Sequence, residues 1–148
     1  MQALALRIGI IAILAAGAWI LRPFITGNAG DLAVGDCFDV PATEQQTVED
    51  VQHHPCTDAH GAEVVFVGDY QPTGGNHPSP SDVEAFVGST CIPAFTQYTG
   101  LDFQTATDYD LGWFWPTAEG WGQGDHEVIC YLVRVDEASL TQSLKGAQ

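Results

Sequence analysis

Residues 62–70 read AEVVFVGDY, and residues 64–67 at their centre are four consecutive apolar side chains. A continuous apolar run of this length, rich in β-branched residues, is typical of a strand that is buried on both faces. Because such a strand lies in the middle of a sheet, the rest of the chain has to supply neighbours on either side of it. The sequence therefore predicts a domain built around this strand.

Other stretches with the composition of strands surround this central run. The alternating pattern of residues 127–135 places Val128, Cys130 and Leu132 on one face and Ile129 and Tyr131 on the other. Loops rich in glycine and proline separate the stretches, and a short terminal helix is predicted last. The predicted strands are residues 36–40, 48–56, 62–70, 101–115 and 127–135, the loops are residues 71–80 and 116–126, and the terminal helix is residues 136–144.

One main helix is predicted between the loop at residues 71–80 and Gly100. Ser81 and Glu84 have the spacing of a capping box, and apolar residues from Val83 to Tyr98 follow at helical spacing. Pro93 lacks an amide hydrogen and should kink the helix just after Cys91. The sequence predicts the α+β class, with a mostly antiparallel sheet and one main kinked helix packed on one face.

The residues from Asp31 onward are strongly acidic. This part holds all nineteen Asp and Glu residues and two basic ones, Arg134 and Lys145, so its formal charge is about −17. Such a charge repels phosphate backbones, and there is no basic patch to release counterions on binding. Nucleic acid is therefore excluded as a partner, and a solvated acidic surface is the simplest interpretation.

Residues 1–26 are predicted to form an N-terminal transmembrane helix. Residues 8–21 are uncharged and lie between Arg7 and Arg22. Uncharged neighbours on both sides extend the run to the length of a bilayer when both arginines snorkel toward the headgroups. A cleaved signal peptide is the alternative, but no small-x-small site follows the run closely.

The charges around this helix favour a cytoplasmic N-terminus. We therefore expect a single-pass protein of the cell membrane whose remaining residues are extracytoplasmic. Residues 27–31 are small and polar, so residues 27–33 are predicted to be a tether, and residues 34–148 are predicted to be one domain of common size.

The four cysteines, Cys37, Cys56, Cys91 and Cys130, all lie beyond the anchor, where thiols oxidise. An even number of cysteines in such a compartment predicts two disulfides. Spacing leaves three connectivities open. The simplest is sequential, Cys37 with Cys56 and Cys91 with Cys130, and each loop closure is worth about 3–4 kcal/mol in the chain-entropy model.

A metal site is the alternative for these residues, because His53, His54, Cys56 and His60 fall close together. Against it, the sequence has no CxxC or HxxxH pair, and a cysteine in a disulfide is no longer a thiolate ligand. No EF-hand loop is present, so calcium would need ligands brought together only in three dimensions. The sequence predicts no metal and no cofactor.

Four short pieces of the chain have the order and spacing of a known family. They are Val34-Gly35-Asp36-Cys37-Phe38; Cys56 with His60 and Glu63-Val64; Cys91 with Phe95, Tyr98 and Gly100; and Pro116, Trp121, Gly124, Asp125, Val128 and Cys130. In these pieces the chain resembles the septum-formation-related domain of actinobacterial membrane proteins. It departs from that pattern at Ala59 and His126, where proline and arginine are usual. The resemblance implies an anchored, extracytoplasmic domain linked to the cell envelope or septum, and it defines no activity.

The leading hypothesis is a non-enzymatic binding or scaffolding domain of the cell envelope. Trp113, Trp115 and Trp121 lie in or beside a glycine-rich loop, where exposed rings bind a partner protein or the face of a sugar. The alternative is that these rings close one end of the core. His60 and Asp125 are further candidates for partner binding. The expected partners are the bilayer, through the N-terminal helix, and another envelope protein or cell-wall glycan.

A small envelope hydrolase or a metal-binding protein is the alternative hypothesis. It would use His60, Glu63 and Asp125, with His126 beside the last, since a histidine and a carboxylate are the minimum for acid–base catalysis. Against it, the sequence has no Gly-x-Ser-x-Gly elbow, HExxH motif or Gly-rich phosphate loop. We therefore predict no catalytic residues, and convergence of these side chains in a cleft would favour an enzyme.

Overall fold

The computed structural model describes residues 26–41, 50–72 and 74–147, and within them the chain forms a six-stranded sheet. The strands are β1 (Thr26–Asn28), β2 (Cys37–Asp39), β3 (Asp50–His54), β4 (Ala62–Asp69), β5 (Tyr109–Phe114) and β6 (Glu127–Arg134). Their order across the sheet is β1-β3-β2-β4-β6-β5, and each pairing is antiparallel. The predicted α+β class is confirmed.

The helices between β4 and β5 follow one another without a break. They are α1 (Pro80–Phe86), a π-helical turn (Val87–Cys91) and α2 (Ile92–Thr99); a short helix, α3 (Ala118–Gly122), precedes β6. The predicted transmembrane helix lies outside the described residues, apart from Thr26 in β1. Among the helices that the structure describes, none is long and apolar enough to cross a membrane.

β4 lies in the middle of the sheet, between β2 and β6, and is buried on both faces as its apolar run predicts. A register shift between Val64 and Phe66 interrupts its pairing with β6. One core cluster covers the helix face and includes Cys91, Phe95, Tyr98, Leu111, Val128, Cys130, Leu132, Leu140 and Leu144. A second covers the opposite face and includes Ala29, Leu32, Phe38, Val51, Ala62, Val64, Ile129 and Tyr131.

β6 divides its side chains between these two clusters, as its alternation predicts. Cys130 and Leu132 contact the helix-face cluster, and Ile129 and Tyr131 contact the opposite one. On that opposite face, the Tyr131 ring packs edge-on against Phe38 at 5.2 Å between centroids, and it packs at a tilt against Phe114 at 4.9 Å. This ring needs Gly112, because a Cβ there would stand 2.3 Å from the Tyr131 Cε2 atom.

The main helix begins two residues earlier than its predicted start, so the proposed capping box of Ser81 and Glu84 is wrong. Ser79 is the N-cap residue: its backbone N–H donates to Asp82 Oδ2 at 2.8 Å, and its hydroxyl accepts from the Asp82 N–H. Pro80 follows at the first helical position, where no amide hydrogen is needed. Ser81 and Glu84 have the same spacing two residues later in the sequence. Pro80 favours the earlier start, because proline suits the first position of a helix.

The predicted kink after Cys91 takes the form of a widened turn. The Ile92 N–H donates to the Val87 carbonyl, five residues earlier, which is the pairing of a π-helix. Such a turn leaves Pro93 at the start of α2, where its missing amide hydrogen costs little. Gly100 ends α2 with a φ of 80°, as predicted for a left-handed C-terminal residue.

The predicted tether at residues 27–33 is instead part of the domain. Asn28 pairs with Asp50 in β3, and Ala29 and Leu32 are buried in the opposite-face cluster. The pairing uses backbone groups, which any residue provides, so the small polar composition of this stretch does not reveal it.

Two other predictions for local structure are wrong. Residues 101–108 form turns in place of a strand, because the Asp102 carbonyl accepts from Thr105 and Ala106 and its side chain accepts from Gln104. The predicted terminal helix over residues 136–144 is absent from the described structure. That segment instead runs along the helix face, where Leu140 pairs reciprocally with His60 through N···O distances of 2.8 and 3.0 Å.

The two disulfides have the sequential connectivity, Cys37 with Cys56 and Cys91 with Cys130. Cys91 belongs to the π-helical turn and Cys130 to β6, so this bridge fastens the helix to a core strand. The other bridge fastens β2 to the loop that precedes β4. No described cysteine is free, and the prediction that all four are structural cross-links is confirmed.

Gly112→Ala should destabilise the domain by about 1–3 kcal/mol, because the new methyl group overlaps a buried ring that neighbours hold on two sides. Urea unfolding of the wild type and the variant measures the change. Gly88→Ala is the matched control: it lies in the π-helical turn, and a Cβ there meets nothing within 4 Å. The control should be neutral or slightly stabilising, and an equal loss in both variants would contradict the packing argument.

Candidate functional site

A buried polar cluster, formed by Glu63, His60, Tyr98 and Cys37, lies between β4, α2 and the C-terminal segment, and the exposed residue Ser143 borders it. Glu63 is its centre and is 0% exposed. β4 carries Glu63 on the helix face of the sheet, opposite Leu132 of β6. A polar side chain there must find its partners within the protein, since water does not reach it.

Three donors converge on the Glu63 carboxyl group. The Tyr98 and Ser143 hydroxyls both donate to Oε1. The Leu144 N–H donates to Oε2 at 2.8 Å. No lysine or arginine of the described chain forms an ion pair with this group. The carboxyl group is therefore held by hydrogen bonds from the helix and from the C-terminal segment, and the fold closes around it.

His60 lies beside Glu63 and is also 0% exposed. Its Nδ1 atom is 2.8 Å from the Asp58 carbonyl oxygen, which can only accept, so Nδ1 carries the proton and donates it. Its Nε2 atom is buried and has no hydrogen-bond partner within the described residues. The ring is thus fixed in orientation by one nitrogen and leaves the other unused.

Cys37 completes the cluster from the neighbouring strand, where its Cα pairs with that of Glu63. Cys37, His60 and Glu63 each offer one potential ligand atom, and these three atoms lie within 4.8 Å of one another. Cys37 is disulfide-bonded, however, so its sulfur is not a thiolate in this state. His53 and His54, which the sequence suggested as metal ligands, are not in this group, and His54 Nε2 is 2.9 Å from Asp39.

Burial raises the pKa of the Tyr98 hydroxyl, and the hydrogen bond that it donates to Glu63 raises it further. Both causes favour the neutral phenol in the folded protein. Lys145 Nζ lies 6.0 Å from the centre of the Tyr98 ring. Because Tyr98 donates to Glu63 only while it is protonated, the cluster depends on a neutral tyrosine.

The sequence-predicted tryptophans occupy different environments. Trp121 is buried, donates through Nε1 to the Gly75 carbonyl at 3.2 Å and packs 4.0 Å from the His126 ring. Trp115 is half-buried against Tyr70 and Phe86. These two rings pack into one end of the core.

Trp113 is the one tryptophan of the described residues with a large exposed surface, at 40%. It lies on β5, which is an edge strand because it pairs with β6 alone. Its Cα is opposite that of Cys130, beside the end of the sheet where the aromatic rings pack.

Asp125 does not join the buried polar cluster. Leu132, the partner of Glu63, is seven positions further along an almost extended chain, which corresponds to about 20 Å. Its Oδ1 accepts from the Glu127 N–H at 3.1 Å, and its own N–H donates to Gly120, as a turn residue does. The convergence that would favour an enzyme therefore includes His60 and Glu63 and leaves out Asp125.

A group of carboxylates lies near Asp125. Burial raises the pKa of Glu127, and the charges of Asp125, Asp69 and Asp31 raise it further. These charges make the start of β6 electronegative. Among the described residues, this group does not bring three ligand atoms together as a metal site requires, so it is acidic surface.

Sequence reasoning placed Tyr98 on the helix stripe but missed its role, and it missed Ser143 altogether. The signal for Tyr98 was indirect: a glutamate at the edge of an apolar run needs buried donors, and a tyrosine on the packed face of a helix can supply one. No comparable signal marks Ser143, because it lies in a segment whose path is set by tertiary contacts. His60, a candidate for partner binding, is inaccessible to a partner in this state.

Tyr98→Phe should lower the free energy of unfolding by about 1–3 kcal/mol at neutral pH, because Glu63 loses a donor. It should also flatten the loss of stability in alkali. The wild-type folded pKa lies above the unfolded value of 10.0, so the contribution of Tyr98 is fully present below pH 10.0 and declines as pH rises beyond it. Urea unfolding across that range measures both effects. Tyr70→Phe, outside the cluster, should keep the wild-type slope, and a wild-type slope in Tyr98→Phe would contradict the assignment.

Comparison with family models finds a match to the family described as "Septum formation" over residues 34–148. Comparisons with curated proteins and with solved structures find no match. The matched region contains both disulfides and the whole buried polar cluster. It indicates a role related to septum formation, and since it covers most of the chain, the protein belongs to the septum formation family.

Proposed function

We propose that this protein is a membrane-anchored, extracytoplasmic domain that binds or scaffolds another component of the cell envelope during septum formation, without catalysis. The family match over residues 34–148 supports the link to the septum. The uncharged run of residues 8–21 supports the anchor. The two disulfides support an oxidising, extracytoplasmic location.

The burial of the candidate acid–base residues is the main observation that supports a non-enzymatic function. His60 and Glu63 are 0% exposed, and the Glu63 carboxyl group is occupied by three donors. A general base must reach the proton that it removes from a substrate, and these groups face the interior. The chemistry available to a partner is therefore that of the surface.

Two surface features suit a binding role. The exposed ring of Trp113 stands on the edge strand β5, whose outer backbone groups are not used by the sheet. Aromatic rings on an exposed edge bind partner strands or sugar faces. The net negative charge of the protein excludes polyanions and favours neutral or basic partners, so we propose a second envelope protein or a cell-wall glycan as the ligand.

Trp113→Ala should abolish accumulation of the full-length protein at the division site while leaving its thermal stability nearly unchanged, because the ring is exposed. A fluorescent fusion, viewed in dividing cells of the native host, measures localisation. Val135→Ala is the matched control, since Val135 is another exposed apolar residue, at 59%, just after β6. A wild-type protein that never concentrates at the septum would overturn the septal role, and unchanged localisation of Trp113→Ala would overturn the assigned surface.

A topology test addresses the anchor separately. A reporter that is active only outside the cytoplasm should be active when fused after Gln148 and inactive when fused before Met1, because the charges flanking residues 8–21 favour a cytoplasmic N-terminus. The mature protein should retain residues 1–26 by intact mass. Loss of that segment would replace the anchor with a signal peptide, and a silent C-terminal reporter would contradict export.

A further inference from the structure

We propose that the buried polar cluster is a zinc site that opens when the Cys37–Cys56 disulfide is reduced, with Cys37, His60 and Glu63 as ligands. The Cys37 sulfur would then either form the disulfide with Cys56 or bind the metal. The inference goes beyond the proposed function and stands without it, because it rests only on the geometry around β2, β4 and the loop between Cys56 and His60.

His60 is already held as a metal ligand is held. A ligating histidine usually donates its second N–H to a carbonyl or carboxylate, which fixes the tautomer and aims the free nitrogen. Here Nδ1 donates to the Asp58 carbonyl at 2.8 Å. The other nitrogen, Nε2, is buried and lacks a partner among the described residues. A buried polar atom left without a partner is costly to the fold, and coordination of a cation would satisfy it.

Glu63 has capacity left for a metal. A carboxylate offers about four acceptor positions, and Tyr98, Ser143 and Leu144 use three of them, two on Oε1 and one on Oε2. The second position on Oε2 remains. The three donors also hold the carboxyl group in place, as hydrogen-bond partners of ligating carboxylates do.

The third ligand is released by reduction. Cys56 is half-buried, whereas Cys37 is 1% exposed and both Cys91 and Cys130 are 0% exposed. A dithiol reductant therefore attacks Cys56 first. One thiolate of the dithiol forms a mixed disulfide with the Cys56 sulfur. This step expels Cys37 as a thiolate beside His60 and Glu63.

The second thiol of the reductant then displaces Cys56 and leaves as its own disulfide. Two electrons have passed from the dithiol to the protein, and the proton that Cys37 would otherwise hold goes to solvent when the metal binds. The Cys56 sulfur, freed beside Cys37, is placed to fill a fourth position.

The ligand set selects a borderline, tetrahedral cation. One thiolate, one imidazole and one carboxylate are typical zinc ligands, whereas calcium and magnesium prefer oxygen alone. Ligand atoms of a tetrahedral zinc ion stand about 3.3–3.8 Å apart. The three atoms here are within 4.8 Å of one another, so shifts of about 1 Å close the site.

The experiment uses the full-length protein in detergent, reduced with a dithiol under native conditions and freed of reductant without oxygen. Alkylation and mass analysis should find Cys37 and Cys56 as the reduced pair. Cobalt titration should produce a sulfur-to-metal charge-transfer band at one equivalent, and zinc should displace it. The oxidised protein should show no band.

His60→Ala should weaken cobalt binding by more than about 100-fold. His54→Ala is the matched control. The Cα of His54 pairs with that of Cys37, but the His54 ring is hydrogen-bonded to Asp39 and is not a proposed ligand. That variant should bind as the wild type does.

Cys56→Ser removes the need for reduction, because it leaves Cys37 as a free thiol in the oxidised protein. This variant should bind cobalt without reductant, and the double variant with His60→Ala should not. Circular dichroism follows the fold throughout. If Cys91 and Cys130 are reduced first, if neither the reduced protein nor Cys56→Ser binds cobalt, or if the band survives in His60→Ala, the site is overturned. Metal binding to a chain that stays unfolded would overturn it equally.

Discussion

The carboxyl group of Glu63, placed inside the central strand of the sheet, constrains the rest of the structure. A polar group buried without partners costs several kcal/mol, so the fold must bring donors to it. Tyr98 comes from α2, and Ser143 and Leu144 come from the C-terminal segment. These partners are separated from Glu63 by 35, 80 and 81 residues. One buried acid thus joins α2 and the segment around Ser143 and Leu144 to the central strand.

The two disulfides also fasten other elements to the sheet. One fastens the π-helical turn to β6, and the other fastens β2 to the loop that carries His60. Together with the Glu63 hydrogen bonds they hold His60, Glu63 and three of the four cysteines in the interior. What remains outside is an acidic surface with an exposed edge strand. In this septum formation domain the exposed surface includes the Trp113 ring on an edge strand, while His60 and Glu63 are buried.

The sequence-based predictions were correct where local interactions decide the structure and wrong where contacts between distant residues decide it. β4, β6 and the stripe of the main helix were predictable because hydrophobic periodicity is a local signal. The sequential disulfides also matched, although spacing alone left three pairings open. The predicted tether and terminal helix were wrong because backbone pairing with β3 and with His60 decides those segments. Trp115 and Trp121 could not be distinguished from Trp113 by composition, since burial depends on which rings pack around them.

The sequence by itself determined the class of the domain, its central strand, its acidity and the oxidation state expected of its cysteines, because each is written in composition or in short-range pattern. Only the tertiary structure decided that His60, Glu63 and Cys37 share one buried cluster while Asp125 lies in the turn before β6. The physical reason is register. A strand fixes which residues face each other across the sheet, and the position of each partner strand is set by the packing of the whole core.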